Sequence, residues 1–336
     1  MRAKQIKEGA LERGLNHFLS DDRHMILGFE KGEDGVHHRI FSKGLDGHSL
    51  LNPFFDVNGA IYLRRLFSKG AQLILMLRPC EIRAYNELVK LSQIEQDGII
   101  AVSVDCLGTV SSKEKIKEVP ADAEGQIEYF KDPEKMRWAC RVCREGRGVV
   151  GDAGIRIDKN GAFRAVSYTE KGESFLTLIE GDAEEGDVEM LLPERPRIER
   201  FQTDMLAFSE DFSRCVMCKN CRDMCPVCYC IDCVFNGDEY LPKGDALLNK
   251  VLRTGSIAMP QGKEMFHLIR MFHVSQVCVG CGACEEACPQ AIPLTKYFKG
   301  ISERLQDMFS YESGRDVNET IPYLTFLEDE LHNAED

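Results

Sequence analysis

Two stretches of the chain carry the same arrangement of cysteines: Cys215-x2-Cys218-x2-Cys221-x3-Cys225-Pro226 and Cys278-x2-Cys281-x2-Cys284-x3-Cys288-Pro289. Four thiols within eleven residues oblige the backbone to wrap around whatever they hold. The two-residue gaps curl a loop around one body and aim its amides at it. The longer gap starts a short helix that carries the last thiol away, and the proline ends the run. Gly280 and Gly282 permit close backbone approach. The pattern matches bacterial ferredoxins, in which three closely spaced cysteines hold one cubane and the fourth reaches across to the other. By that rule one [4Fe–4S] cluster takes Cys215, Cys218, Cys221 and Cys288, and a second takes Cys278, Cys281, Cys284 and Cys225. Structural zinc instead uses paired hooks well separated in sequence.

Eleven of the 15 cysteines lie between Cys215 and Cys288, and the odd count cannot pair off completely as disulfides. The N-terminus lacks the apolar stretch of a signal peptide, and no apolar run approaches the ~20 residues that span a bilayer, so a cytosolic protein is expected. In a reducing cytosol closely spaced cysteines serve as metal ligands or redox groups rather than cross-links. A net charge of -13, without a Lys/Arg block, argues against nucleic acid or an anionic membrane as partner.

The insertion from Pro226 to Val277 is far longer than the connection in compact ferredoxins and holds three more cysteines, Cys228, Cys230 and Cys233. Three thiols this close either hold a further metal with a ligand from elsewhere or only line a cluster. Spacing leaves both open. Lys263 to Val277 reads as a helix leading into Cys278, with apolar residues at Phe266, Ile269, Met271, Phe272 and Val274. His267 and His273 on that helix are expected to pack or hydrogen-bond near a cluster, and Met217 and Met224 to shield clusters from water.

The first half has a different character. Gln72–Leu77 (QLILML) fits a buried strand, the segment after Pro79 has near-helical apolar spacing, and Ile99–Val104 is a second buried β-branched strand. Such a β-α-β unit is right-handed with parallel strands, so Cys80 and Cys106 emerge at one carboxyl edge, where open α/β sheets place ligands. With the Cys140-x2-Cys143 hook they make a candidate third cluster; the alternative is that Cys80 and Cys106 are small buried hydrophobes. Gly146, Gly148, Gly151 and Gly154 are candidate flavin-contacting positions, although they match neither G-x-G-x-x-G nor the P-loop and read more simply as turn glycines. Residues 148 to 179, with turn signals at Lys159-Asn160-Gly161 and Lys171-Gly172, read as an antiparallel meander. The acidic and proline-containing stretch 181 to 200 reads as a linker, with the boundary near Pro193 to Arg200. The expected architecture is an α/β (α+β) domain over residues 1–195 with a parallel β-α-β unit, then a mainly helical 2[4Fe–4S] ferredoxin-like domain over 196–312, then a helical tail over 313–336. Leu324, Leu327 and Leu331 of that tail make a candidate anchor for a partner, or pack on their own domain.

LRPCEIRAYNELVKLSQIEQDGIIAVSVDCLGT and CRVCREGRGVVGDAGIRI resemble motifs of the coenzyme F-420 hydrogenase/dehydrogenase β-subunit family. CVMCKNCRDMCPVCYCIDC and HLIRMFHVSQVCVGCGACEEACPQAIPL resemble the dicluster half of its relatives that accompany formate dehydrogenases and heterodisulfide-reductase-type complexes. The resemblance implies that Cys80, Cys106, Cys140 and Cys143 match the family's additional cluster cysteines. It further implies electron transfer between iron–sulfur clusters and, in several members, an FAD that reduces a deazaflavin. No residue set for activating formate, hydrogen or a disulfide is recognisable, so the expected role is an electron-transfer subunit whose partners are formate dehydrogenase, hydrogenase or heterodisulfide-reductase-type subunits. The alternatives are an FAD-containing dehydrogenase subunit acting on deazaflavin or nicotinamide, and a scaffold that its clusters merely stabilise.

Overall fold

The computed structural model describes residues 2–33, 35–66, 71–111, 113–158, 160–181, 184–185, 205–236, 244–256 and 262–325. The first half runs β1 (Arg2–Gln5), α1 (Ala10–Phe18), β2 (His24–Gly32), β3 (Gly35–Phe41), β4 (His48–Ser49), α2 (Ala60–Leu66), β5 (Gln72–Leu77), α3 (Pro79–Lys90), β6 (Ile99–Val104), α4 (Lys113–Ile116), α5 (Ala123–Tyr129), α6 (Trp138–Arg141), β7 (Ala153–Ile157), β8 (Phe163–Ser167), α7 (Glu170–Thr177) and β9 (Glu184–Glu185). The strands form one sheet in the order β3-β2-β5-β6-β7-β8-β1-β9, with β4 beside β2. Its centre, β2, β5, β6 and β7, is parallel, and the strands outside it are antiparallel to their neighbours.

The unbroken apolar run of β5 follows from cover on both faces. Ile74 and Met76 enter a core with Leu11 and Leu15 of α1 and Phe175 and Leu176 of α7. Leu73, Leu75 and Leu77 enter the opposite core with Leu63 of α2 and Ile82 and Leu88 of α3. The β-α-β unit expected from the sequence is therefore present as β5-α3-β6, with Leu75 opposite Ala101 in parallel register.

The meander expected over 148 to 179 is only half formed. β7 and β8 make the hairpin, with Ile155 opposite Ala165, but Lys171 and Gly172 lie inside α7 rather than in a second turn. The Thr169 hydroxyl caps that helix by accepting from Gly172 N at 3.2 Å. Phe175, Leu176 and Ile179 then bury one helical face against the sheet. Part of the acidic stretch read as a linker is also structured, since Glu184 and Glu185 pair with Ala3 and Arg2 as an edge strand. The boundary expected near Pro193 to Arg200 lies outside the described residues.

The second half holds α8 (Met205–Ser213), α9 (Asn220–Asp223), α10 (Gly244–Thr254), α11 (Lys263–Val274), α12 (Ala283–Glu286) and α13 (Leu294–Met308). Its core gathers Phe208, Phe212, Phe266, Tyr297 and Phe298 around the cysteines of both motifs. Helix α11 departs from its expected face: it buries Phe266, His267, Arg270, Met271 and Val274, while Phe272 is 87% exposed. Residues 266, 270 and 274 form one stripe at helical spacing, and position 272 falls outside it. Leu324 sits exposed in a 3₁₀ turn, Pro322–Leu324; Leu327 and Leu331 lie outside the described residues. No helix among the described residues is long and apolar enough to cross a membrane.

Residues after α13 tie the two halves together through α3. The buried Glu87 carboxylate accepts from Tyr311 Oη at 2.5 Å and from Gly314 N, Asn86 Nδ2 donates to Gly314 O at 2.9 Å, and Arg83 pairs with Glu312 at 2.8 Å. Gly314 has φ +69°, and a Cβ there would lie 2.2 Å from Arg83 O. Gly314→Ala should therefore lower stability by about 2–3 kcal/mol, read as a fall in Tm. Gly255→Ala, at φ +72° with nothing within 4 Å, should cost only about 1 kcal/mol. Elsewhere, burial beside the Phe41 ring pushes the His48 pKa down to about 4. The unfolded chain binds this proton near pH 6.5 and the native state does not, so stability should fall as pH drops from about 6.5 to 4, by on the order of 3 kcal/mol. His48→Gln should flatten that limb of a pH–Tm profile.

Candidate iron–sulfur centres

The two cysteine motifs fold alike because their loops turn at the same positions. Met217 and Lys219, two and four residues after Cys215, have φ of 55° and 64°. Gly280 and Gly282, two and four residues after Cys278, have φ of 65° and 73°. The second motif uses glycine for a left-handed backbone that the first adopts with ordinary side chains. Each loop then enters a one-turn helix, α9 or α12, and these two pack together.

Cys215, Cys218, Cys221 and Cys288 line one cavity walled by Phe266, His267, Ile292 and Leu294. Three thiols thus come from one motif and the fourth from the other. His267 Nε2 lies 3.3 Å from Cys215 Sγ, and burial, reinforced by Arg270, lowers its pKa to about 3, which keeps the ring neutral. His273 is exposed on the far side of α11. Met217 is half-buried against the same core, with its backbone N–H 3.4 Å from Cys215 Sγ; Met224 is half-buried.

Cys225, Cys278, Cys281 and Cys284 form the reciprocal group. Cys225 and Cys284 are each within electrostatic reach of the other and of Cys278 and Cys281. Burial dominates the thiols, pushing both Cys221 and Cys278 up to about 11. As free thiols they would be neutral at pH 7, so a metal that takes them as thiolates must displace protons.

The third group stands at the carboxyl edge of β5 and β6. Cys80 from the first turn of α3, Cys106 after β6, Cys140 of α6 and Cys143 line one cavity, and Cys281 enters its wall. Thr109 Oγ1 lies 3.1 Å from Cys140 Sγ and accepts from Arg137 Nε at 3.0 Å. Arg137 stacks 3.5 Å from the Phe55 ring centroid, donates through Nη2 to the Cys281 carbonyl and meets Glu286 at 3.3 Å. Lys299, also buried, faces Cys143 and Cys278 and pairs with Glu145 at 3.9 Å and Glu303 at 3.6 Å.

Arg78, which lines this cavity, pairs with Glu81 at 3.0 Å, both buried. Glu81 also accepts from Gly59 N at 2.8 Å and meets His38 Nε2 at 2.7 Å. Burial favours the neutral acid, yet Arg78 and His38 hold this carboxyl far below the usual range. Burial alone would lower His38; Glu81 and Asp56 reverse this and raise it.

The remaining candidates fall differently. Cys228 is half-buried beside Cys225 and Arg270, Cys230 is exposed and Cys233 half-buried. Among the described residues no three His, Cys, Asp or Glu side chains gather as ligands of a single ion. Of the glycines, Gly146 borders the third cavity. Gly148 and Gly154 pack against backbone, a Cβ at Gly154 lying 2.1 Å from Gly148 O. Gly151 lines a separate cavity of about 660 Å³ with Tyr85, Asp152, Tyr168, Lys171 and Arg315. Sequence reasoning missed Arg137, Thr109, Lys299 and Arg270, whose only local signal is a position three or so residues from a cysteine or one turn along a helix facing them.

No protein-family model matches the chain. The F420-dependent formate dehydrogenase subunit beta of Methanocaldococcus jannaschii is 25% identical over 314 residues, 75% of this chain and 75% of the relative. The F420-dependent formate dehydrogenase 1 subunit beta of Methanococcus maripaludis is 27% identical over 306 residues, 74% of this chain and 75% of the relative. Among solved structures, a chain of the xenon-derivatised F420-reducing [NiFe] hydrogenase complex from Methanosarcina barkeri aligns with a TM-score of 0.38 and 10% identity, covering 52% of this chain and 76% of that one. The likeness is thus to subunits of oxidoreductases. In particular, the chain is similar to the β subunits of F420-dependent formate dehydrogenases.

Arg78→Met would leave the Glu81 carboxylate buried without its main counter-charge. It should cost about 3–5 kcal/mol, measured as a fall in the denaturant midpoint.

Proposed function

We propose that this chain is the iron–sulfur electron-transfer subunit of a cytosolic oxidoreductase complex, relaying electrons between a formate-oxidising catalytic partner and deazaflavin F420. In this reading Cys215, Cys218, Cys221 and Cys288 hold one [4Fe–4S] cluster, Cys278, Cys281, Cys284 and Cys225 a second, and Cys80, Cys106, Cys140 and Cys143 a third. Each cluster supplies one-electron redox chemistry. The α/β half, residues 1–195, carries the third group, the ferredoxin-like half, 196–312, the other two, and 313–336 is a tail. A cytosolic setting suits chemistry that needs this many reduced thiols.

The observation that carries the reading is the position of Cys281, which belongs to the second group and also walls the cavity of the third. Cys221 and Cys284 both face Arg270, which supports an order with the second group in the middle. A subunit built to join partners needs such an ordered series; a scaffold stabilised by separate clusters does not. The relatives' names supply the donor and acceptor, formate and F420.

The 660 Å³ cavity lined by Gly151, Tyr85 and Tyr168 favours one second reading, a flavin-bearing subunit that exchanges electrons with F420 itself. Acid extraction of the purified chain decides between the two, because released FAD is expected only in the second.

Anaerobically purified protein should contain about twelve irons with matching acid-labile sulfide, and Cys140→Ser about eight. Undiminished iron in Cys140→Ser would remove the third group from the relay. Cys281→Ser should abolish formate-dependent F420 reduction by the assembled complex; full retention of that activity would turn the reading toward the scaffold role.

A further inference from the structure

The interior of the second half holds a cation that, among the described residues, no carboxylate pairs with. Arg270, on α11, is 2% exposed. Its Nη1 donates to Cys221 Sγ at 3.1 Å and its Nη2 to the Cys221 carbonyl at 3.0 Å. The guanidinium lies 4.9 Å from the Phe298 ring centroid and 5.6 Å from that of Phe266. It faces the sulfurs of Cys225, Cys228 and Cys284 as well as Cys221. Among the described residues it forms no ion pair with a carboxylate, and its Nε is buried without a hydrogen-bond partner.

Other buried cations near the cysteines are different. Arg78 is matched by Glu81 at 3.0 Å, Arg137 by Glu286 at 3.3 Å and Lys299 by Glu145 and Glu303. Their fields are largely cancelled a few ångströms away, whereas that of Arg270 acts on the surrounding sulfurs through a low-dielectric core. An unpaired buried guanidinium is costly to desolvate unless a negative body beside it supplies the compensation. The groups at hand to supply it are the thiolates.

We propose that Arg270 is a positioning residue that sets the redox poise of the junction between the first and second cysteine groups, raising the reduction potential of the clusters they hold. This rests on the iron–sulfur reading above. Adding one electron to a cluster adds one negative charge and no proton, so an adjacent fixed cation and an N–H···S hydrogen bond both favour the reduced form. Net charge, hydrogen bonds to sulfur and solvent exposure are the recognised determinants of such potentials. The proposal also gives the long insertion a purpose, since α11 brings to the junction a charge that a short connection could not.

The test is a dithionite titration of the full, anaerobically purified chain followed by electron paramagnetic resonance. Three variants are compared with the parent: Arg270→Gln, Arg270→Lys, and Cys228→Asp, which places a carboxylate beside the guanidinium. Removing the charge or neutralising it should each disfavour reduction of at least one cluster about tenfold, a shift of about 59 mV to more negative potential for a one-electron couple. Arg270→Lys should retain most of the parental potential. Unmoved potentials in whichever of Arg270→Gln and Cys228→Asp keeps its full iron would overturn the proposal, as would a lysine variant shifted as far as the glutamine one. A parent chain without iron and sulfide would instead sink the iron–sulfur reading, a failure distinguishable from this one.

Discussion

The guanidinium of Arg137 is where the two halves of this molecule become one. It orients Thr109, and through it Cys140, on one side, and holds the Cys281 carbonyl and Glu286 on the other. The sheet half contributes Cys80, Cys106, Cys140 and Cys143; the helical half contributes Cys281 to the same cavity wall. This contact, the strap from Tyr311 to Gly314 across α3, and the Lys299–Glu145 and Arg83–Glu312 ion pairs hold the cysteine groups of the two halves in one body.

Charge organises the interior around the sulfurs. Burial raises the Cys80, Cys225 and Cys284 thiols well above their usual range, and it would equally disfavour the cations if they stood alone. The structure resolves this by interleaving: Arg78, Arg137, Lys299 and Arg270 each lie between carboxylates, thiols or both. The pairing is uneven, and that unevenness distinguishes the junction at Arg270 from the one at Arg137.

Much of the framework was legible in the residues themselves. The run QLILML announced a strand covered on both faces, and the β-α-β crossover followed from the helix between it and Ile99–Val104. The spacing of the two motifs groups Cys288 with Cys215, Cys218 and Cys221, and these four line one cavity. Where local pattern misled, a longer-range contact was responsible. The segment after Thr169 looked like a third strand of a meander, but a cap and a buried helical stripe made it α7. On α11 apolar character pointed to Phe272, whereas the buried stripe contains His267 and Arg270, residues that a hydrophobicity reading assigns to solvent.

By itself, the sequence determined the duplicated spacing of the cysteine loops, the glycines that let the second loop turn tightly, and the alternation of helix and strand around β5, α3 and β6. These depend on backbone geometry within a dozen residues. Only the tertiary structure decided that Cys80, Cys106, Cys140 and Cys143 share a cavity with Cys281, and that buried arginines stand at each junction. Those pairings join residues far apart in sequence, 144 positions for Arg137 and Cys281. Their energies come from desolvation and opposite charge brought together by folding, and neither leaves a periodic mark in the chain.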